Sequence, residues 1–146
     1  MATMQFDLVS PERRLASMQA QSVQIPGSEG DLTAMPGHAP VITTLRPGIL
    51  RAMGDGGEQD FVVTGGFAEI TAESCTVLAE RSHAVKEVDQ GVYNEIVAEA
   101  RAKYDAAIAA KANGNEPGPV DDMVRLMADM VALGTHIGLD TGEARI

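Results

Sequence analysis

The chain has 146 residues, 45% of them apolar but only 3% aromatic and none Trp, so its core has to be assembled from Val, Ile, Leu, Met and Ala. A formal net charge of −10 argues against a nucleic-acid partner, whose phosphates would be repelled, and against unaided docking on an anionic membrane surface. No run approaches the roughly 20 consecutive apolar residues that span a bilayer. The single Cys75 has no partner for an internal disulfide, and residues 1–7 lack a basic stretch followed by an apolar one. A soluble, cytoplasmic protein is expected.

In chain order, the first half alternates with a short period. Met4, Phe6 and Leu8 share one face of a strand, with Gln5 and Asp7 on the other. Further strand-like runs cover residues 15–25, 41–45, 49–53, 59–64, 67–72 and 75–80. Asp55-Gly56-Gly57 accepts positive φ, which predicts a hairpin between 49–53 and 59–64. Gly65-Gly66 predicts a second reversal or a bulge. Many short strands with frequent Gly turns imply a β-sandwich or flattened barrel over residues 1–86.

The rhythm then changes. Asp89 is an N-cap candidate, and Tyr93, Val97, Ala100, Tyr104 and Ile108 fall on one helix face. Asn113-Gly114-Asn115-Glu116-Pro117-Gly118-Pro119 breaks that helix, and a second is predicted over 120–133 with a stripe of Val120, Met123, Val124, Met127 and Val131. Two helices across a short breaker form an antiparallel hairpin, so residues 87–146 read as a helical hairpin whose Gly-rich tail from Gly134 frays. This half is the more acidic, with five Lys/Arg against eleven Asp/Glu, compared with six against ten in residues 1–86.

Chemistry-bearing patterns are sparse. His38, His83 and His136 stand at no metal-ligand spacing from one another or from Cys75, so no metal is expected. Neither a P-loop nor a nucleophile elbow is present, and no cofactor is implied. Cys75, alternating with Val77 and Ala79, reads as a buried apolar side chain. His83 reads as a surface or capping residue on the strand-to-helix link, and His136 as a helix-end residue facing the dipole. Met123, Met127 and Met130 read as closing the hairpin. The segment from Pro26 to Pro47 is rich in Pro and Gly, hence stiff and exposed rather than a ladder interior. It is either a recognition loop or a pair of polar turns. From these residues alone, a stand-alone regulatory adaptor and a small β-barrel ligand-binding protein both remain open.

A set of short segments in register narrows the choice: Phe6-Asp7-Leu8-Val9-Ser10-Pro11, Gly27-Ser28-Glu29-Gly30-Asp31-Leu32, Pro36-Gly37-His38-Ala39-Pro40, Arg46-Pro47-Gly48 and Gly65-Gly66-Phe67. In order and spacing these resemble the epsilon subunit of bacterial and plastid F-type ATP synthases, the equivalent of the mitochondrial delta subunit. The resemblance implies a noncatalytic rotor subunit, peripheral at the cytoplasmic face of the bacterial plasma membrane, that couples proton-driven rotation of the membrane ring to ATP synthesis in the catalytic head. It implies that the sandwich binds the gamma subunit through Ser10, His38 and Thr43, and the ring of c subunits through Glu29 and Asp31. In the family the hairpin can reach the catalytic beta and alpha subunits and obstruct rotation with basic residues. Here Arg125 stands against Asp121, Asp122 and Asp129, so inhibition through that contact is expected to be weak or absent. Some relatives bind ATP through Ile/Leu-Asp-x-x-Arg-Ala at the start of the hairpin. This chain has Val88-Asp89-Gln90-Gly91-Val92-Tyr93, in which Asp89 survives as a remnant but Val92 replaces the Arg, so no bound ATP is expected.

Overall fold

Alternation builds the first element as expected. In the computed structural model, which describes residues 2–112 and 120–145, β1 (Met4–Ser10) turns Met4, Phe6 and Leu8 into the core. It is followed by β2 (Arg13–Ala20), β3 (Ser22–Gly27), β4 (Gly30–Ala34), β5 (Val41–Thr44), β6 (Gly48–Gly54), β7 (Gly57–Ile70) and β8 (Ser74–Ala84). The strands run in the order β2-β1-β8-β7-β6-β3-β4, with β5 also paired to β7. The β1–β8 pair is parallel and the others are antiparallel.

The two layers of the sandwich are made by bending strands. β5 and β6 lie head to tail along β7 in one unbroken register, from Val41 opposite Ile70 to Gly54 opposite Gly57. The β7–β8 register also holds through the corner, with Thr64 opposite Arg81 and Gly66 opposite Ala79. Gly65-Gly66 is therefore neither a reversal nor an inserted residue. It is a kink, at φ 36° and 102°, matched on the neighbouring strand by Arg46-Pro47. Bends of this kind let strands pass from one layer to the other. One layer holds β2, β1, the start of β8, the end of β7 and β5. The other holds the remainder of β7 and β8 with β6, β3 and β4.

Between the layers lie Phe6, Leu8, Ile25, Leu50, Phe61, Ile70 and Val77, with the Phe6 and Phe61 rings tilted at 46° and 6.5 Å apart. Cys75 is fully buried in this core, where burial pushes its thiol up from 9.0 to about 12. Between those values the unfolded chain releases the proton while the folded chain keeps it. Folded stability is thus intact below pH 9.0 and declines above it, by about 1.4 kcal/mol per pH unit for this group. Cys75→Ala should lose less stability on raising the pH past 9.0 than the parent, in paired urea titrations. Equal alkaline slopes for the two chains would refute the assignment.

Three further expectations for the strands change. The run 15–25 is two strands, because the chain reverses partners at Gln21 and β3 leaves β1–β2 to pair with β4 and β6. The Pro26–Pro47 segment is not free of ladders. Pro26, the one residue of β3 without an N–H, pairs with Asp31 of β4 beyond Ser22–Gln24, where β3 pairs with β6, so no β6 ladder bond needs the missing donor. His83 lies within β8, opposite Val62, rather than on the link to the helices.

The contacts divide the chain into Met1–Glu87 and Val88–Ile146. In the second unit α1 (Gln90–Ala112) and α2 (Val120–His136) pack antiparallel. The Asp89 carboxylate accepts the Val92 N–H at 2.9 Å, the expected N-cap. The breaker 113–119 lies outside the described residues. Tyr93, Ile96, Val97 and Ala100 are buried on α1, whereas Ile108 is exposed. On α2 the buried face is Met127, Met130, Leu133 and Gly134, while Val124 is exposed. The stripe is rotated from the expected one because Gly134, read as the helix end, lies inside the helix and meets Tyr93. The tail is not frayed. Gln90 pairs with the Asp140 backbone through both amide atoms at 2.9 Å, and Arg101 donates to the Arg145 carbonyl at 2.9 Å.

Candidate functional site

Strand pairing, not nearness in sequence, makes the main surface feature. Val9 lies opposite Leu78, Leu78 opposite Phe67, and Phe67 opposite Thr44. Directly opposed residues share a face of the sheet, so these four form one row across the first layer. Their chain neighbours Leu8, Val77, Ala79 and Ala68 turn into the core, which sends the row outward. Phe67 and Leu78 are 40% and 39% exposed, and Ile42, on the same face of β5 as Thr44, is 67% exposed. A cleft of about 370 Å³ opens over Val9, Phe67 and Leu78, bordered by Ser10, Gly66 and Glu80.

The next row along the strands runs Ile42, Glu69, Thr76, Asp7, Ser17. Asp7 and Glu69 on one side and Glu80 on the other therefore frame the apolar row with carboxylates. A contiguous exposed apolar strip with a charged border is the surface signature of a binding face.

Ser10 ends β1 at the border of the cleft, its hydroxyl donating to the Arg13 carbonyl at 3.4 Å. Thr43 lies opposite Ala68 on the inward side of β5, with its hydroxyl on the Thr44 carbonyl at 3.3 Å. Its neighbours Ile42 and Thr44 face outward. His38 sits at the other end of the same layer, since the Gly37 N–H donates to the Ala72 carbonyl at 2.8 Å, beside the start of β8. Its own N–H donates to the Met35 carbonyl at 3.0 Å.

Glu29 and Asp31 belong to the β3–β4 turn, where Gly30 supplies a φ of 130°. The turn is fastened to β5 by the Ser28 N–H, which donates to the Thr44 carbonyl at 2.9 Å. Asp31 is ion-paired to Arg46. Thr44 thus stands between this turn and the apolar row. Among the described residues no three His, Cys, Asp or Glu side chains converge as a metal site requires, and no helix is long and apolar enough to cross a membrane.

Ile42, Phe67, Leu78 and Arg46 received no interface role from the sequence, although Arg46 and Phe67 lie within the segments that carry the resemblance. A faint signal existed for two of them. Phe67-Ala68 and Val77-Leu78-Ala79 are apolar on both phases of a strand, which alternation with one buried face does not require.

Residues 3–85 match the family described as ATP synthase, Delta/Epsilon chain, beta-sandwich domain. The ATP synthase epsilon chain of Paracoccus denitrificans (strain Pd 1222) is 57% identical over 143 residues, covering 97% of this chain and 95% of its own length. That of Ruegeria sp. (strain TM1040) is 55% identical over 137 residues, covering 94% and 98%. A solved chain in the cryo-EM structure of Euglena gracilis mitochondrial ATP synthase, OSCP/F1/c-ring in rotational state 1, has the same fold. It aligns with a TM-score of 0.59 at 24% identity, covering 71% of this chain and 67% of that one. With a sandwich that matches the family domain and relatives alike over nearly its whole length, this chain belongs to the ATP synthase epsilon chain family.

Proposed function

We propose that the chain is a noncatalytic rotor subunit of an F-type ATP synthase, peripheral at the cytoplasmic face of a bacterial plasma membrane, which links the membrane ring to the gamma subunit so that proton-driven rotation reaches the catalytic head. The observation that carries this reading is the exposed row of Val9, Leu78 and Phe67 with its cleft, on a rigid two-layer body. A torque-bearing part needs a stiff core and separate interfaces. The outward row with Ile42 and Ser10 serves as the gamma-binding face, extended by His38, while Thr43, on the inward side of β5, supports Ile42 and Thr44 from behind. The Glu29–Asp31 turn, on the far side of Thr44, serves as the ring-facing contact. Carboxylates at Asp7, Glu69 and Glu80 favour a partner surface with Lys or Arg around apolar knobs, setting specificity and association rate more than affinity.

Leu78→Asp tests the reading, because Leu78 points out of the sandwich and its loss should leave the fold intact. Binding of the full-length variant to gamma in the assembled head should weaken by about 100-fold (about 2.7 kcal/mol). Undiminished affinity would remove the row from the interface. The same reconstituted complex carrying a chain that ends at Lys86 should hydrolyse ATP at nearly the rate it has with the full-length chain, because the acidic Asp121, Asp122 and Asp129 oppose contact with an acidic lever of a catalytic subunit. A several-fold rise on truncation would establish strong inhibition by the hairpin instead.

A further inference from the structure

The two carboxylates of the ring-facing turn are not equivalent. Arg46, at the corner between β5 and β6, reaches across to β3 and β4 with both ends of its guanidinium. Its Nε donates to the Gly27 carbonyl at 3.1 Å, and its Nη2 pairs with the Asp31 carboxylate. Its backbone N–H donates to the Pro26 carbonyl at 3.0 Å. Three contacts from one residue therefore grip the turn on both of its strands, while Ser28 is held to Thr44. Glu29 is exposed at the tip of the turn, outside this grip.

We propose that Arg46 is a positioning residue that fixes the β3–β4 turn through Gly27 and Asp31, so that Glu29 is the carboxylate presented to the ring and Asp31 acts inside the chain. The assignment rests on the ring-facing reading of this turn. A planar guanidinium suits the task because its donors leave at fixed angles and can hold a carbonyl and a carboxylate at once, which an ammonium cannot do with the same geometry. An exposed ion pair alone contributes little. The hydrogen bond to Gly27 and the backbone bond to Pro26 order the side chain before Asp31 is engaged. The gain is in placement: a contact that turns with the ring and transmits its torque has to hold its charge at one fixed place against it.

The test has two arms. In the isolated full-length chain, Arg46→Ala should speed amide hydrogen exchange of residues 28–31 by about tenfold or more, and Arg46→Lys should restore part of the protection. In the second arm, catalytic heads reassembled with each full-length variant are titrated against head-stripped membranes at low and high salt. Asp31→Asn and Arg46→Ala should weaken binding by the same factor, and the double variant no further, as expected of two residues in one contact. Glu29→Gln should weaken binding and flatten its salt dependence in the parent chain, and do so by a smaller factor in the Arg46→Ala background, where the turn no longer places it. Unchanged exchange in Arg46→Ala overturns the proposal. So does a full Asp31→Asn effect that persists in the Arg46→Ala background, since Asp31 would then touch the ring directly. Faster exchange with no effect of any carboxylate variant on binding would leave the Arg46 grip standing and overturn the ring-facing role of the turn, and with it the assignment to Glu29.

Discussion

Gly66→Ala should destabilise the sandwich by about 3–5 kcal/mol, far more than one methyl group does at an ordinary position. Gly66 has φ 102°, and a Cβ there would lie 2.0 Å from the Leu78 carbonyl oxygen and 3.0 Å from the Ala79 Cα. Those are backbone atoms of the neighbouring strand, so no side chain can swing aside. Relief requires either separating β7 from β8 at the corner or straightening the kink, and both undo the passage between layers. Gly56→Ala is the control, because its Cβ meets nothing within 4 Å and should cost no more than about 0.5 kcal/mol. Labelling of Cys75 during urea unfolding reads the sandwich specifically, since that thiol is buried in its core. A Gly66→Ala midpoint equal to that of Gly56→Ala would show that the kink tolerates a side chain. The position also borders the Val9–Leu78–Phe67 cleft, so the variant should lose gamma binding along with stability, whereas Leu78→Asp loses binding alone.

What could be read beforehand was what neighbouring residues settle among themselves. The alternation of Met4, Phe6 and Leu8, the Asp55-Gly56-Gly57 turn and the Asp89 cap each depend on a handful of consecutive residues. β4 escaped because Gly30-Asp31-Leu32-Thr33-Ala34 carries a single large apolar residue, and its strand character comes from pairing with β3. The Gly65-Gly66 kink was visible as a pair of glycines. Its meaning lies in the Arg46-Pro47 bend opposite it, about twenty residues away. The apolar row requires the register of four strands at once, and the Arg46 grip joins residues 15 and 19 positions apart. The fastening of the tail is longer still, since Gln90 and Asp140 are 50 residues apart. Local pattern assigns a residue to a face. It does not say which faces meet.

The helical unit offers the sharpest case, because there local propensity and packing predict opposite signs. Replacing a glycine inside a helix by alanine ordinarily stabilises by about 1 kcal/mol. Gly134→Ala should instead destabilise the hairpin, since its Cβ would fall 2.5 Å from both Cζ and the hydroxyl oxygen of Tyr93. Tyr93 cannot retreat easily. Its ring is fully buried, and its hydroxyl donates to the Met130 carbonyl at 2.6 Å. Burial raises the Tyr93 pKa, so the hydroxyl remains a donor. Tyr93→Ala should therefore cost the hairpin about 3–5 kcal/mol, as large-to-small replacements of buried aromatics do. The Tyr93→Phe change removes one hydrogen bond and should cost about 1 kcal/mol. The decisive variant is the double one. In a Tyr93→Leu background the two ring atoms are gone and Thr141 Cγ2, 2.6 Å from such a Cβ, still crowds it, so Gly134→Ala should cost clearly less than in the parent. Amide exchange along α2, compared across the four chains of this cycle, gives the coupling energy directly. If Gly134→Ala protects α2 amides already in the parent chain, the Tyr93–Gly134 contact does not set the helix spacing. If the cost falls as expected, Tyr93 and Gly134 set the separation of α1 and α2, and any state of the chain in which the helices part has first to draw Tyr93 away from Met130.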